Sequence, residues 1–343
     1  MTMQSISPVF AQAFIDAICH VEKGVEHHLV HSPEQAHELP PPPHVPMNEL
    51  TEFFSRAHLQ TGNEDIGLLA YHSAHPGHLG VLGYAIMSCP TLHDALARIA
   101  EHHTLIGSGF SLFLDVHPTA MKIAGLSTSP CNTALPRAFI DAVAALTLGL
   151  LHWLAPKARI EPIQAEFSYR EPTDKRQLER LFGTNLKFSA PVTSLTFRRC
   201  DGELPVATFD PSLQQIHDEY LRRRHREWQA AVITTRLRQL ILQYLLQGKT
   251  LALEEVAQGM EMSAHQLSRA LEKEGQRFHK VLDEVRQQHS RHLLLNTDLS
   301  LKQVAYCIGF KNQSAFNKAC ERWFSMSPGS YRIERGISPS GTQ

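Results

Sequence analysis

Two stretches of this chain are copies of one pattern. LALEEVAQGMEMS (251–263) and LSLKQVAYCIGFK (299–311) align with Leu253 on Leu301, Val256 on Val304 and Ala257 on Ala305, an offset of 48. Past the turn the offset becomes 49, with Leu267 on Phe316, Arg269 on Lys318 and Ala270 on Ala319. This reads as two helix–turn–helix units, the second with one extra residue in its turn. A small Ala257 or Ala305 in the first helix lets the second cross closely. The turn calls for positive φ, which Gly309 adopts without steric cost. Glu261 stands there in the first copy, so that turn is either strained or shifted toward Gly259. Ser263 and Asn312 are placed to cap the second helices. Leu267, Leu271, Phe316 and Trp323 are expected in the cores of the units, and Phe310 as well, closing the second turn.

Between the copies, Phe278–Leu295 carries apolar Phe278, Val281, Leu282, Val285, Leu293 and Leu294 at helical spacing. At 1.5 Å per residue this is a rod of ~27 Å. With packing widths added, it sets the two second helices about one DNA turn apart, ~34 Å.

The net charge of −1 hides an asymmetry. Residues 1–212 hold 14 Lys+Arg against 21 Asp+Glu, and residues 213–343 hold 19 against 13. An acidic front and a basic back imply that only the back meets a polyanion. A length of 343 residues implies two domains. No run of ~18 apolar residues suggests a membrane span, so no membrane partner is expected. Met1 to Cys19 carries Asp16 and no basic cluster, which does not read as a signal peptide. Six scattered cysteines without a CxxC pair suggest neither a zinc ribbon nor a disulfide framework, and a reducing cytoplasm is expected.

In the front half, helices are expected at Pro8–His20, Met47–His58, Thr91–Leu105, Pro136–Leu154 and Asp174–Phe182. Strands are expected at Ser111–Val116, Met121–Leu126, Pro162–Tyr169 and Ser194–Phe197. The run HELPPPPHVP (37–46) cannot be helical and connects the first two helices. Gln214–Trp228, with Arg222, Arg223, Arg224 and Arg226, reads as a basic linker helix. The expected fold is a mixed α/β N-terminal domain followed by an all-α C-terminal domain with two helix-turn-helix units joined by a long helix. The expected boundaries are 1–212 for the front domain, 213–232 for the linker, 233–334 for the back domain and 335–343 for a tail. The units fall at about 251–274 and 299–323.

The run from Ala305 through Gly309-Phe310, Ser314-Ala315-Phe316, Phe324 and Ser327-Pro328-Gly329-Ser330-Tyr331-Arg332 resembles the DNA-binding domain of the AraC/XylS transcription regulators, over residues 233–334. Residues of about 20–205, with GLLAYHSAHPGHLGVLGYAIMSCPTLHDAL and LFGTNLKFSAPVTSLTF, resemble the arabinose-binding-type effector domain of the subgroup that includes the ornithine regulator OruR. The resemblance implies a ligand-responsive, sequence-specific DNA-binding regulator, an activator rather than a repressor. Its implied partners are double-stranded promoter DNA, RNA polymerase, a small organic effector and a second copy of itself. By position in the family, His265, Ser268 and Arg269 of the first unit and Gln313, Ser314, Asn317 and Lys318 of the second reach base edges. Their chemistry fits independently: Arg and Lys donate to guanine O6/N7, and Asn and Gln pair with adenine N6/N7. Gln266 is a secondary candidate.

Other readings have less in the sequence. No GxxxxGK, HExxH or GxSxG motif supports an enzyme. Among 21 histidines, His72, His75 and His78 form HxxHxxH, the basis of an alternative metal-responsive regulator. Pro76 and Gly77 break the spacing that would align them on one helix face, so no metal ligand, cofactor or catalytic residue is assigned.

The charge asymmetry yields a direct expectation. A fragment of residues 230–336 binds DNA, with affinity falling steeply as salt rises and counterion release is lost. A folded fragment whose affinity ignores salt between low and physiological levels refutes this.

Overall fold

The structure, a computed structural model, describes residues 5–21, 45–108, 110–127, 135–229, 233–247, 249 and 251–335. Most of the proline run, His27, His28, Cys131 and the tail beyond 335 lie outside the described residues, as do the side chains of Arg224 and Arg226. Contacts divide the chain into two units, the first running to Arg222 and the second from Arg223.

The first unit opens with β1 (Ser5–Ile6) and α1 (Pro8–Val21), then β2 (Val45–Pro46), which pairs antiparallel with β1, and α2 (Met47–Thr61). Two 3-10 turns, Ile66–Tyr71 and Pro76–Leu79, lead into α3 (Val81–Met87) and α4 (Leu92–His102). The hairpin β3 (Phe110–Val116) and β4 (Ala120–Ser127) precedes α5 (Arg137–Leu154). β5 (Gln164–Glu166), α6 (Arg176–Phe182), β6 (Leu186–Lys187), β7 (Thr193–Arg198) and α7 (Arg199–Gly202) complete the α/β layer, and α8 (Pro211–Gln229) leaves it. The 3-10 turns, α3, β6 and α7 are too short to show a period in the sequence.

The five-stranded sheet has order β3-β4-β7-β5-β6, antiparallel except for the β5–β6 pair. Its register puts Ile123, Leu195 and Ala165 opposite one another, all buried in the core. The alternate face carries Lys122, Ser194 and Glu166, because successive side chains in a strand point to opposite sides. Lys122 reaches across β7 to Glu166 at 2.5 Å, and Ser194 donates to the same carboxylate at 2.8 Å.

α5 organises the first unit. It is long and apolar enough by composition to cross a membrane, but 61% of it is buried inside the domain, where it packs against the Ile66–Tyr71 turn. Its polar exception is Asp141, fully buried. The Tyr169 hydroxyl donates to Asp141 Oδ1 at 2.5 Å, and Arg137 Nε stands 3.2 Å from Oδ2. Arg137 also reaches Asp65 at 2.5 Å and Glu64 at 3.4 Å. One guanidinium thus faces three carboxylates, tying α5 to the Ile66–Tyr71 turn and to the segment after β5.

The first turns of α8 belong to the first unit. Arg98 pairs with Asp218 at 2.5 Å, the Ser88 hydroxyl lies 2.9 Å from His217 Nδ1, and Leu221 is buried in the core of the unit. Arg222 and Arg223 beyond it are exposed.

Among the described residues the second unit's regular elements are all helices: α9 (Ile233–Leu246), α10 (Leu253–Gly259), α11 (Ala264–Lys273), α12 (Phe278–Asn296), α13 (Leu301–Cys307), α14 (Gln313–Phe324) and α15 (Pro328–Arg335). α12 has 19 residues and a length of ~28 Å. Its buried side packs on α9, and on α13 and α15 further along. Glu274, just after α11, caps α9 from 40 residues away, accepting from Thr234 N at 2.9 Å and from Ile233 N at 2.6 Å.

Burial pushes the Asp141 carboxyl up to about 7, against the pull of the Tyr169 hydroxyl and Arg137. Between the unfolded value of 3.8 and about 7, the folded chain holds a proton that the unfolded chain has released. This contribution to stability is present at low pH and is lost as pH rises through 7. Asp141→Asn should therefore gain Tm relative to wild type as pH rises from 5.5 to 8. A Tm difference between the two proteins that stays constant across that range contradicts the assignment.

Candidate nucleic-acid interface

The two turns of the repeat match bond for bond. In the first, Met262 N donates to Ala257 O at 3.0 Å and Glu261 N to Gln258 O at 2.9 Å; in the second, Phe310 N donates to Ala305 O and Gly309 N to Tyr306 O, both at 2.9 Å. The bonds back to Ala257 O and Ala305 O are the long-range bonds of a Schellman helix end, whose next-to-last position takes the left-handed conformation. Gly309 has φ +76° and Glu261 φ +59°. The first turn therefore does not shift toward Gly259: it keeps its register and carries the strain at Glu261. Gly259 is small for another reason, since a Cβ there would lie 2.2 Å from the Tyr244 hydroxyl.

Both second helices are capped as the sequence suggested. Ser263 accepts from Gln266 N, and Asn312 Oδ1 accepts from Ala315 N at 2.8 Å. Gln266 returns the bond, accepting from Ser263 N at 2.8 Å. Its carboxamide is thereby engaged in the cap, which weakens Gln266 as a base reader.

Leu267 and Leu271 are buried on one side of α11, and Phe316, Ala319 and Cys320 on one side of α14. Trp323 is half-buried, with its indole N–H on Asp283 at 2.9 Å. His265, Ser268 and Arg269 follow one face of α11; His265 and Arg269 are exposed and Ser268 is half-buried. On α14, Ser314 and Lys318 are exposed, while Gln313 and Asn317 are half-buried. Asn317 Oδ1 has no hydrogen-bond partner among the described residues. Arg269 and Lys318 carry no ion pair among the described residues and are available as donors. Further along, the stripes bear exposed Glu272 and Glu321, again 49 residues apart.

The residues that hold this geometry went unnoticed in the sequence. Asp283, Arg286 and Gln287 form an i, i+3, i+4 stripe on α12. Asp283 accepts from Arg322 at 2.6 Å and from Trp323; Arg286 donates to Ile308 O at 3.1 Å and Gly309 O at 2.9 Å; Gln287 donates to Trp323 O at 3.2 Å. Arg332 on α15 donates to Leu294 O at 3.2 Å and Leu299 O at 2.7 Å. The polar spacing on α12 was the available signal.

The three histidines of HxxHxxH do not converge on one point, although the His75 and His78 rings lie 6.1 Å apart, edge to face. His75 Nδ1 accepts from Gly77 N at 3.0 Å and its ring stacks edge-on to Trp153. His72 packs against Tyr71, and burial lowers the pKa of His78. Among the described residues no three His, Cys, Asp or Glu are arranged to hold an ion.

The domain family described as the N-terminal arabinose-binding domain of AraC transcription regulators matches residues 34–206, and a helix-turn-helix domain family matches residues 256–334. The chain belongs to the AraC family of transcription regulators. It is similar to the ornithine utilization regulator of Pseudomonas aeruginosa, 23% identical over 279 residues and 79% of each chain. It is also similar to the HTH-type transcriptional regulator VirS of Mycobacterium tuberculosis, 36% identical over 58 residues, 17% of each. Among solved structures, it is similar to the transcriptional regulator CdpR of Pseudomonas aeruginosa, with TM-score 0.44 and 19% identity, covering 94% of this chain and 98% of that one. The C-terminal domain of AraT from Geobacillus stearothermophilus is 32% identical, with TM-score 0.30, covering 32% of this chain and 92% of that one. This AraC-family protein thus joins an effector-binding domain to a DNA-binding helix-turn-helix domain.

Relieving the strained turn should stabilise the DNA-binding unit. A non-glycine residue in the left-handed region costs about 1 kcal/mol. Glu261→Gly is expected to raise the stability of the unit by a similar amount, read by chemical denaturation. A fall in stability indicates that the glutamate side chain contributes more than its backbone costs.

Proposed function

We propose that this protein is a ligand-responsive activator that reads promoter DNA with α11 and α14. The single observation that carries the reading is the repeated face, in which a cap, a turn and a basic residue, Arg269 or Lys318, recur at the same place on two helices. His265, Ser268 and Arg269 read one segment of the major groove, and Gln313, Ser314, Asn317 and Lys318 read the next. The first unit binds a small organic molecule, and the first relative's role in ornithine utilization makes amino-acid metabolites the ones to screen first. Effector binding favours the DNA-competent arrangement, which requires tighter binding to that state than to the other. Activation requires contact with RNA polymerase, and the protein acts in the cytoplasm, with the first unit contributing to a homodimer. The functional divisions are 1–212, 213–232 and 233–334. α8 carries the effector state onward, since its first turns are held by the effector unit.

The test is a pair of substitutions. Arg269→Ala and Gln313→Ala should each cost about 1–3 kcal/mol on the specific site and much less on random DNA. Equal losses on both would mean that these side chains contact phosphates, not bases.

A further inference from the structure

Two recognition helices read a composite site only if their separation and angular phase are fixed. One base pair added between the two contacted segments moves one segment by about 3.4 Å and rotates it by roughly 34°. Something in the protein must resist that displacement.

The described residues bring three elements to one point, the turn at Gly309. A Cβ on Gly309 would lie 2.9 Å from Leu251 Cδ1 and 3.2 Å from Leu245 Cδ2, so the turn of the second helix-turn-helix is seated directly on the first. Leu245 is on α9 and Leu251 precedes α10. From α12, Arg286 grips the same turn with two donors, Nε to Ile308 O at 3.1 Å and Nη2 to Gly309 O at 2.9 Å. Its guanidinium also lies over the Phe310 ring, 4.9 Å from the centroid. The planar fork satisfies carbonyls left open at the end of α13, which an ammonium could not do in the same bidentate way. Ser290 Oγ donates to Arg286 O at 2.6 Å, one turn further along α12.

We propose that Arg286 is a positioning residue that sets the spacing and phase between the two recognition helices, and hence the operator spacing that the protein accepts. It touches no base. It fixes the end of α13, the turn, and through the turn the seat of the second unit on Leu245 and Leu251. Apolar contact alone lets the two units slide; the bidentate grip removes that freedom. The inference rests on the reading that both α11 and α14 enter DNA.

The experiment uses the full chain. A duplex is selected from random-sequence DNA by the wild-type protein, its two protected segments are mapped by footprinting, and versions with one base pair added or removed between them are made. Wild type should lose at least ~10-fold in affinity on the altered duplexes. Arg286→Ala should lose less than ~3-fold relative to its own binding of the parent duplex, and Arg286→Lys should fall between. A simple loss of fold stability lowers binding to all the duplexes alike and leaves the spacing penalty unchanged. If Arg286→Ala does not fold, Arg286→Lys decides, since it keeps the aliphatic stem and the charge. A folded variant with the wild-type penalty, or a wild-type protein indifferent to spacing, overturns the proposal. Arg269→Ala and Gln313→Ala on the parent duplex report separately whether base reading is at fault or only the joint.

Discussion

Each helix-turn-helix unit turns on one backbone residue in the left-handed region, held by a bond back to an alanine carbonyl in the first helix. That alanine, Ala257 or Ala305, is buried because the second helix crosses over it. The rest of the DNA-binding unit follows from this reversal. It places the cap residue, Ser263 or Asn312, at the start of the second helix, and the cap sets which residues of that helix face outward. Glu261 shows how strongly the packing demands the turn: a residue poorly suited to positive φ adopts it rather than let the register move. Tertiary packing of Val256, Leu267 and Leu271 outweighs a local cost of about 1 kcal/mol.

The two units are joined differently from how a rod between them would suggest. The expected helix of ~27 Å exists as α12, but it does more than space the units. Its apolar side packs on α9, and Asp283, Arg286 and Gln287 grip α13, the turn and α14 through carbonyls and an indole N–H. Gly309 serves twice, since positive φ and the close approach of Leu251 both exclude a side chain there.

In the first unit the physics is different. An apolar helix buries most of its surface, and the one ionisable group it carries fully inside, Asp141, is held by Arg137 and Tyr169. Removing Arg137 would take away a cation that favours the charged form, so the Asp141 carboxyl would be pushed up further and keep its proton. The anchoring of His217, Asp218 and Leu221 makes the start of α8 part of this unit, so the change from effector domain to linker occurs within a helix.

The sequence by itself determined the two-domain plan, the repeat, the caps at Ser263 and Asn312, the buried faces of α11 and α14, and the long strands and helices of the first unit. These follow from local spacing: a period of 3.6 or 2, a glycine at a turn, a hydroxyl or carboxamide before a helix. Only the tertiary structure decided which way the Glu261 turn resolved, because the packing of Val256, Leu267 and Leu271 fixes where the second helix starts. It alone placed Arg286 on the Gly309 turn, Glu274 at the start of α9 and Tyr169 on Asp141. Those contacts join residues 22 to 41 positions apart. A polar side chain facing a distant backbone group leaves no period in the sequence, so its role is fixed only when the helices pack.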